Sequence, residues 1–452
     1  MRLFEKDRAF YRMLATIAAP IALQNLITVM VAMMDTLMIG QLGEVQLSAT
    51  SIANQLWFMM NVLGFGIAGG ANVLIAQYWG KQEIPIIRRV EALTLKVGLA
   101  AALCFSVVAL VFPRQFMSIF TLDQEVISYG CQYLRIIGYS YPIYTLVSIS
   151  IIMLRSVGTV NISVAVYLVS LVVNTSLNYI LIFGKLGAPR LGVQGGAIAT
   201  CCARVAEALV LLYYLVFREK KIRFHWRDLL SNNAMLYRKY VTLSLPIIGN
   251  ELIWSTGNAM VSVVIGRMGT SFTAANSIYT VLNQLVTVVI FGVGNAALTI
   301  VGNTIGAGHY DLAKERSKRL LWISIWLGLA ACAITLVASP LMISMYNLTA
   351  ETIQIAHSIS RVGALLTIFQ SLAVIDMVGV LRAGGDGNFV LLVETVFLWL
   401  EALPLGFLAG LKWGWSAPMV FFLLRSDEIF KTLVSTWRIC GFKWLRDITV
   451  RD

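Results

Sequence analysis

Charge is what this sequence has least of. Lys, Arg, Asp and Glu make up 13% of its 452 residues, against 58% hydrophobic, where a soluble domain averages roughly 25% charged. Too little polar side chain remains to cover a soluble body of this size, so the chain reads as an integral membrane protein. There are 3 histidines and 6 cysteines, with no CxxC or Cys/His spacing, which argues against zinc and redox motifs. Cys104, Cys131, Cys201, Cys202, Cys332 and Cys440 fall in or at the ends of apolar runs and are expected to be small buried residues. HExxH, a Ser/His pairing within the spans and a P-loop are all missing. A membrane-embedded enzyme and a built-in ATP motor are thereby disfavoured, and no filter-like carbonyl loop suggests a channel. The net charge of +12 is spread as punctuation between apolar runs, so it indicates membrane orientation rather than nucleic-acid binding. No cofactor is expected.

Long hydrophobic runs fill the rest, with a mean hydropathy of +0.78. At about 20 residues per span they suit helices, not short alternating barrel strands. The window argument places about twelve spans, near 14–40, 46–79, 91–112, 126–154, 161–184, 193–217, 240–266, 273–304, 317–339, 351–381, 389–411 and 416–439. The charged amino terminus precedes a run far longer than a signal peptide's, so it is expected to stay as the first span.

An offset of 226 residues, half the chain, superposes landmark residues. Pro20 meets Pro246, Gly40 meets Gly266, Gly43 meets Gly269, Ala49 meets Ala275, and Ile52 meets Ile278. Gly66 then meets Gly292, Gly80 meets Gly306, and Arg135 meets Arg361, while LRSVG (154–158) matches LRAGG (381–385) one residue further on. The expected fold is therefore all-α, as two six-helix lobes related by a pseudo-two-fold axis along the membrane normal, since an even span number gives both copies one orientation. The lobes are 1–217 and 240–452, with a polar linker at 218–239. Basic residues crowd one side: the four before span 1, Lys81, Arg88, Arg89, the linker, the KERSKR run at 314–319, and Arg438, Lys443, Arg446 and Arg451. Arg114, Lys185, Arg190, Arg267 and Lys412 mark the other. The positive-inside rule then puts both termini in the cytoplasm, and the plasma (inner) membrane is the expected location.

Polar residues inside the spans are the functional candidates. Asp35 interrupts span 1 at an insertion cost of about 2.5–3.5 kcal/mol, and its repeat partner is Val261. Conversely, Asn25 is replaced by Glu251. Neither acid has a Lys or Arg one turn away, which favours a proton or cation site over a structural carboxyl. Asn174 and Asn178 share a helix face, and Thr200 follows a small-residue stretch in span 6. Asp35, both amides and the hydroxyl together suit a hard monovalent cation such as Na+; interhelical hydrogen bonding without an ion is the equal alternative for the Asn pair. Asp376 is a further acid in span 10, and Glu394 and Glu401 lie seven apart in span 11. Arg204 with Glu207, and Asp427 and Glu428 beside Arg425 and Lys431, read as local ion pairs. Arg135 and Arg361 suggest a shared job at a helix end. Tyr139, Tyr141, Tyr144, Trp57 and Trp254 are aromatic candidates for stacking on a cationic ligand; interface or packing is the alternative for each. His357 could titrate near neutral pH, but a lone His is more often structural. Pro20 and Pro246 each remove a backbone hydrogen bond and permit a bend.

AAPIALQNLITVMVAMMDTLMIGQLG in span 1, the NE pair and IGRMG in span 7, and LRAGGD at 381–386 together resemble the multidrug and toxic-compound extrusion (MATE) family over nearly the whole chain. The resemblance implies a monomeric V-shaped pair of six-helix lobes. Such a protein exports amphipathic, often cationic compounds in exchange for Na+ or H+. It implies that Asp35 is the coupling acid of the amino-terminal lobe, with Asn174, Asn178 and Thr200 around it. Glu251 and Asp376 are the corresponding candidates in the other lobe, and Tyr139, Trp254 and Glu401 are candidates for substrate contact. A lipid-linked saccharide flippase of the same broader superfamily is the second reading.

Overall fold

The computed structural model describes residues 8–224, 228, 234–346 and 348–449. Part of the linker expected at 218–239, at 225–227 and 229–233, lies outside the described residues, as do the first seven residues and Arg451. Every regular element among the described residues is helical. In chain order they include α1 (Arg8–Gly40), α2 (Glu44–Gly80), α3 (Ile84–Val111), α4 (Pro113–Phe120), α5 (Gln124–Ile137), α6 (Ser140–Ser156), α7 (Asn161–Phe183) and α8 (Val193–Phe217). There follow α9 (Ala234–Arg267), α10 (Thr270–Gly306), α11 (Tyr310–Ser344), α12 (Ala350–Leu381), α13 (Gly387–Lys412), α14 (Ala417–Leu424) and α15 (Asp427–Cys440). Nine of the described helices are long and apolar enough to cross a membrane, and ten if the bent pair α5 and α6 counts as one. A span needs its backbone bonds satisfied internally, which the helix alone provides within one segment.

Where the two halves depart from one another, the sequence shows why. α5 and α6 meet at a 55° bend, with Gly138 capping the first and Pro142 in the first turn of the second. Pro142 has no N–H to continue the ladder. The repeat equivalents of Gly138 and Pro142 are Ala364 and Ile368, and α12 runs through that region unbroken. Arg135 accordingly sits in the last turn of α5, whereas Arg361 lies in the interior of α12, so the expected common role at a helix end does not hold. Further along, α12 widens into a π-helical segment at Ile375–Leu381. A π-bulge accommodates one extra residue in a helix. Here it lies between Arg361, which matches at an offset of 226, and Arg382, which matches at 227. The one-residue slip in the repeat is thus absorbed as backbone geometry, with Asp376 inside the bulge.

Two compact units contain the chain, the first comprising 1–22, 76–83 and 245–452, the second 23–75 and 84–244. The boundary crosses α1 just after Pro20 and α9 just before Pro246. Each unit has its own core: Ala49, Ala53, Leu56 and Tyr141 with their neighbours in the second, and Ala275, Tyr279, Ile359 and Phe421 in the first. The repeat landmarks Ala49 and Ala275 are each fully buried in them. Within the first unit the ends of α2 and α10 touch backbone to backbone. A Cβ on Gly306 would collide with the Gln77 carbonyl, and one on Gly80 with Asn303 O. Such close approach is open only to glycine, and it accounts for this repeat pair. Nearby, the fully buried Gln77 donates from Nε2 to Ala383 O (2.8 Å) and Arg446 O (3.1 Å) and accepts from the Ile448 amide (3.0 Å). It thereby ties the turn after α12 to the chain beyond α15. Asp447 is bound there by Lys81 at 3.1 Å. Burial opposes its ionisation, but the Thr449 hydroxyl and amide and the Lys81 ammonium outweigh it and hold the carboxyl below the usual carboxylate range.

Of the six cysteines only one is buried as expected. Cys332 is buried, Cys131 and Cys201 are half-buried, and Cys104, Cys202 and Cys440 are exposed. Around a membrane helix the outer face meets lipid rather than water, so an apolar thiol has no need of the protein core.

Candidate functional site

In the second unit, α1 carries Asp35, α7 carries Asn174 and Asn178, and α8 carries Thr200. The i,i+4 spacing stacks the two asparagines one turn apart, and the structure brings all four residues into one hydrogen-bonded chain. Asn178 Nδ2 donates to Asp35 Oδ1 at 2.5 Å and to Asn174 Oδ1 at 3.1 Å. Asn174 Nδ2 donates to Thr200 Oγ1 at 3.3 Å, and Thr200 donates in turn to Gly196 O at 3.0 Å. Gly195 is what lets α7 and α8 come so close, since a Cβ there would strike the Leu181 carbonyl. Asn174 and Asn178 are almost fully buried. Asn178 Oδ1 is also buried and has no partner. An orphaned amide oxygen beside a carboxylate is costly unless something donates or coordinates there. Carboxylate, amide and hydroxyl oxygens form a hard donor set suited to alkali cations or to a proton.

Two tyrosine–asparagine contacts of this unit were not expected from the sequence. Tyr133 donates to Asn54 Oδ1 at 3.4 Å, and Tyr144 donates to Asn61 Oδ1 at 2.7 Å. Arg204 pairs with Glu207 at 2.7 Å, as expected for i,i+3, and its guanidinium also stacks 4.5 Å over the Tyr144 ring. Tyr139, the stacking candidate at the α5–α6 bend, is 69% exposed.

In the first unit the acids are distributed differently. Glu251 has no basic neighbour in sequence, yet Arg382 Nη2 lies 2.9 Å from its Oε1. The inference that it lacks a counter-charge is therefore overturned, because the partner arrives from the turn after α12 rather than from its own helix. The same nitrogen donates to Asn250 Oδ1 at 2.6 Å. Asp376 is fully buried, accepting from Thr436 (2.8 Å) and Ser435 (3.3 Å) with its other oxygen unpartnered. Glu401 accepts from Ser426 at 2.7 Å. Glu394 joins Lys431 at 2.6 Å, and Lys431 also pairs with Asp427 at 2.6 Å. The local network expected around Asp427 thus extends to α13, while Arg425 turns instead to Asn258 at 3.3 Å. Trp254 is 40% exposed. The coupling candidates therefore form one connected set around Asp35, whereas Glu251 and Asp376 belong to separate clusters with different partners. The match of the two LRxxG turns is the one signal in the sequence that could have drawn attention to Arg382.

Among the described residues no group of three or more His, Cys, Asp or Glu is placed to hold a metal ion.

Comparison with known proteins shows what the whole chain resembles. The family model described as MatE matches twice, over residues 20–180 and 246–408. The chain is 23% identical over 414 residues to the uncharacterized transporter YisQ of Bacillus subtilis strain 168, covering 91% of this chain and 90% of that one. It is 25% identical over 404 residues to the probable multidrug resistance protein YoeA of the same strain, covering 88% and 86%. A solved structure of a MOP superfamily transporter from Pyrococcus furiosus superposes with a TM-score of 0.86 at 18% identity, covering 98% of each chain.

Proposed function

The chain belongs to the MatE family, and from that premise we propose that it is a secondary-active exporter. It moves amphipathic, often cationic compounds outward by alternating access, in exchange for Na+ or H+. The observation that carries this reading is the hydrogen-bonded chain Asp35–Asn178–Asn174–Thr200 across α1, α7 and α8. It holds one carboxylate, so a monovalent cation or a proton matches its charge. Loading that site favours one arrangement of three helices, and emptying it favours another, which is the differential interaction a conformational cycle requires. The likeness to YoeA, by its name a probable multidrug resistance protein, supports the substrate class. Tyr139, Trp254 and Glu401 are proposed as substrate contacts, with Glu251 and Asp376 as the polar centres of the second half.

In this reading the chain forms two six-helix lobes, 1–217 and 240–452, with twelve spans and both termini cytoplasmic. The orientation is tested by single cysteines in a cysteine-free background. Leu122, 87% exposed between α4 and α5, is expected to react with a membrane-impermeant maleimide in intact cells when changed to Cys. Lys220→Cys, beyond α8, is expected to react only after permeabilisation. Labelling of position 220 from outside would reverse the assigned topology.

Ion coupling is tested in everted vesicles carrying the protein, with Na+ and proton gradients imposed separately and uptake of a fluorescent lipophilic cation followed. One of the two gradients is expected to drive accumulation against a concentration difference. Transport unaffected by either gradient would refute the antiport.

A further inference from the structure

The two LRxxG turns place an arginine at matching points of the two halves, and the structure gives each the same first partner. Arg155 Nη2 donates to Gln24 Oε1, and Arg382 Nη2 donates to Asn250 Oδ1. Gln24 and Asn250 are themselves repeat equivalents at the 226-residue offset. Both guanidinium groups are buried, at 7% and 8% exposure, and each leaves its Nε without a partner.

Their counter-charges differ. Arg382 has the Glu251 carboxylate at 2.9 Å. The equivalent of Glu251 is Asn25, and among the described residues no carboxylate lies within ion-pair distance of Arg155. A guanidinium cannot shed its proton to escape burial, and a buried charge without compensation is strongly destabilising. The second half resolves this with a carboxylate of its own. In the first half the position that would supply one holds a neutral amide.

We infer that Arg155 binds a small monovalent anion, a halide or a ligand's carboxylate group, which takes the place that the Glu251 carboxylate fills beside Arg382. The planar fork of the guanidinium is suited to a carboxylate and accepts a halide between two N–H groups. Gln24 takes one N–H of Arg155 Nη2, leaving the other, the counterpart of the one that serves Glu251 in Arg382, to donate to the anion. This site is separate from the Asp35 chain and does not depend on the proposed antiport.

The test uses the purified full-length protein and thermal unfolding, titrated with sodium bromide or with sodium acetate at ionic strength held constant by sodium methanesulfonate, whose anion is neither a halide nor a carboxylate. A ligand that binds only the folded state raises the midpoint in a saturable way, here by about 1–3 °C. A response to bromide identifies a free inorganic anion as ligand, and a response to acetate alone identifies a carboxylate. Asn25→Glu, which installs the carboxylate of the other half and keeps Arg155, is expected to abolish the response. Arg155→Gln is expected to do the same, and if that variant fails to fold, Asn25→Glu carries the test. Glu251→Gln is expected to add a second saturable response, because it gives Arg382 the surroundings of Arg155. A flat native titration with both anions overturns the inference. So does a response that survives unchanged in Asn25→Glu, which would mean an adventitious ion elsewhere.

Discussion

Asp35→Asn is expected to keep the protein folded and inserted, to retain substrate binding, and to abolish uphill export. The amide is nearly isosteric with the carboxylate and still accepts from Asn178, so the links between α1, α7 and α8 persist. What disappears is the ability to exchange a charge. One net inward charge gains about 2.3 kcal/mol per 100 mV of membrane potential, which corresponds to a concentration ratio of roughly fiftyfold. That gain is comparable to the cost of about 2.5–3.5 kcal/mol for holding the acid within a span. Steady-state accumulation in energised vesicles should therefore fall from a ratio of that order toward unity in the variant. Its substrate affinity should also lose the Na+ or pH dependence of the parent. Normal pumping by Asp35→Asn, or the same ion dependence in both proteins, would make Asp35 a structural acid.

Lys431→Met should produce the largest loss of stability. Lys431 is the single cation between Glu394 and Asp427, each 2.6 Å away, and all three side chains are at most 7% exposed. Removing the ammonium strands two carboxylates away from water, and breaking even a simple buried pair costs about 3–5 kcal/mol. The variant should unfold in detergent many degrees below the parent and give little monodisperse protein. A triple variant, Lys431→Met with Glu394→Leu and Asp427→Leu, removes all three charges together. It should recover most of the lost stability, since well-packed apolar groups often equal or exceed a buried ion pair. A Lys431→Met midpoint within a degree of the parent would show that the carboxylates are already neutral without the lysine. A triple variant as unstable as the single one would show that the charges themselves are needed for packing.

What the sequence by itself determined is local or additive. Span placement rests on hydropathy summed over some twenty residues, and each apolar run proposed as a span does fold as helix or as a broken helix. The break between α5 and α6 is readable in Gly138 and Pro142, and the π-bulge around Asp376 in the slip of the repeat from 226 to 227. The Asp35 neighbourhood was legible because Asn174 and Asn178 declare a shared face by their spacing, and a polar group in an apolar run is conspicuous. Charge partners across helices were not legible. Arg382 reaches Glu251 from 131 residues away, and Lys431 reaches Glu394 across 37. Nothing in the spacing along one helix encodes a contact made between helices, and so Glu251 read as an unpaired acid until the fold brought its arginine. The cysteines misled for a related reason. Burial in a soluble protein follows apolarity, but a membrane helix places apolar residues on both its packed and its lipid-facing sides. Only the tertiary packing decides which side each residue takes.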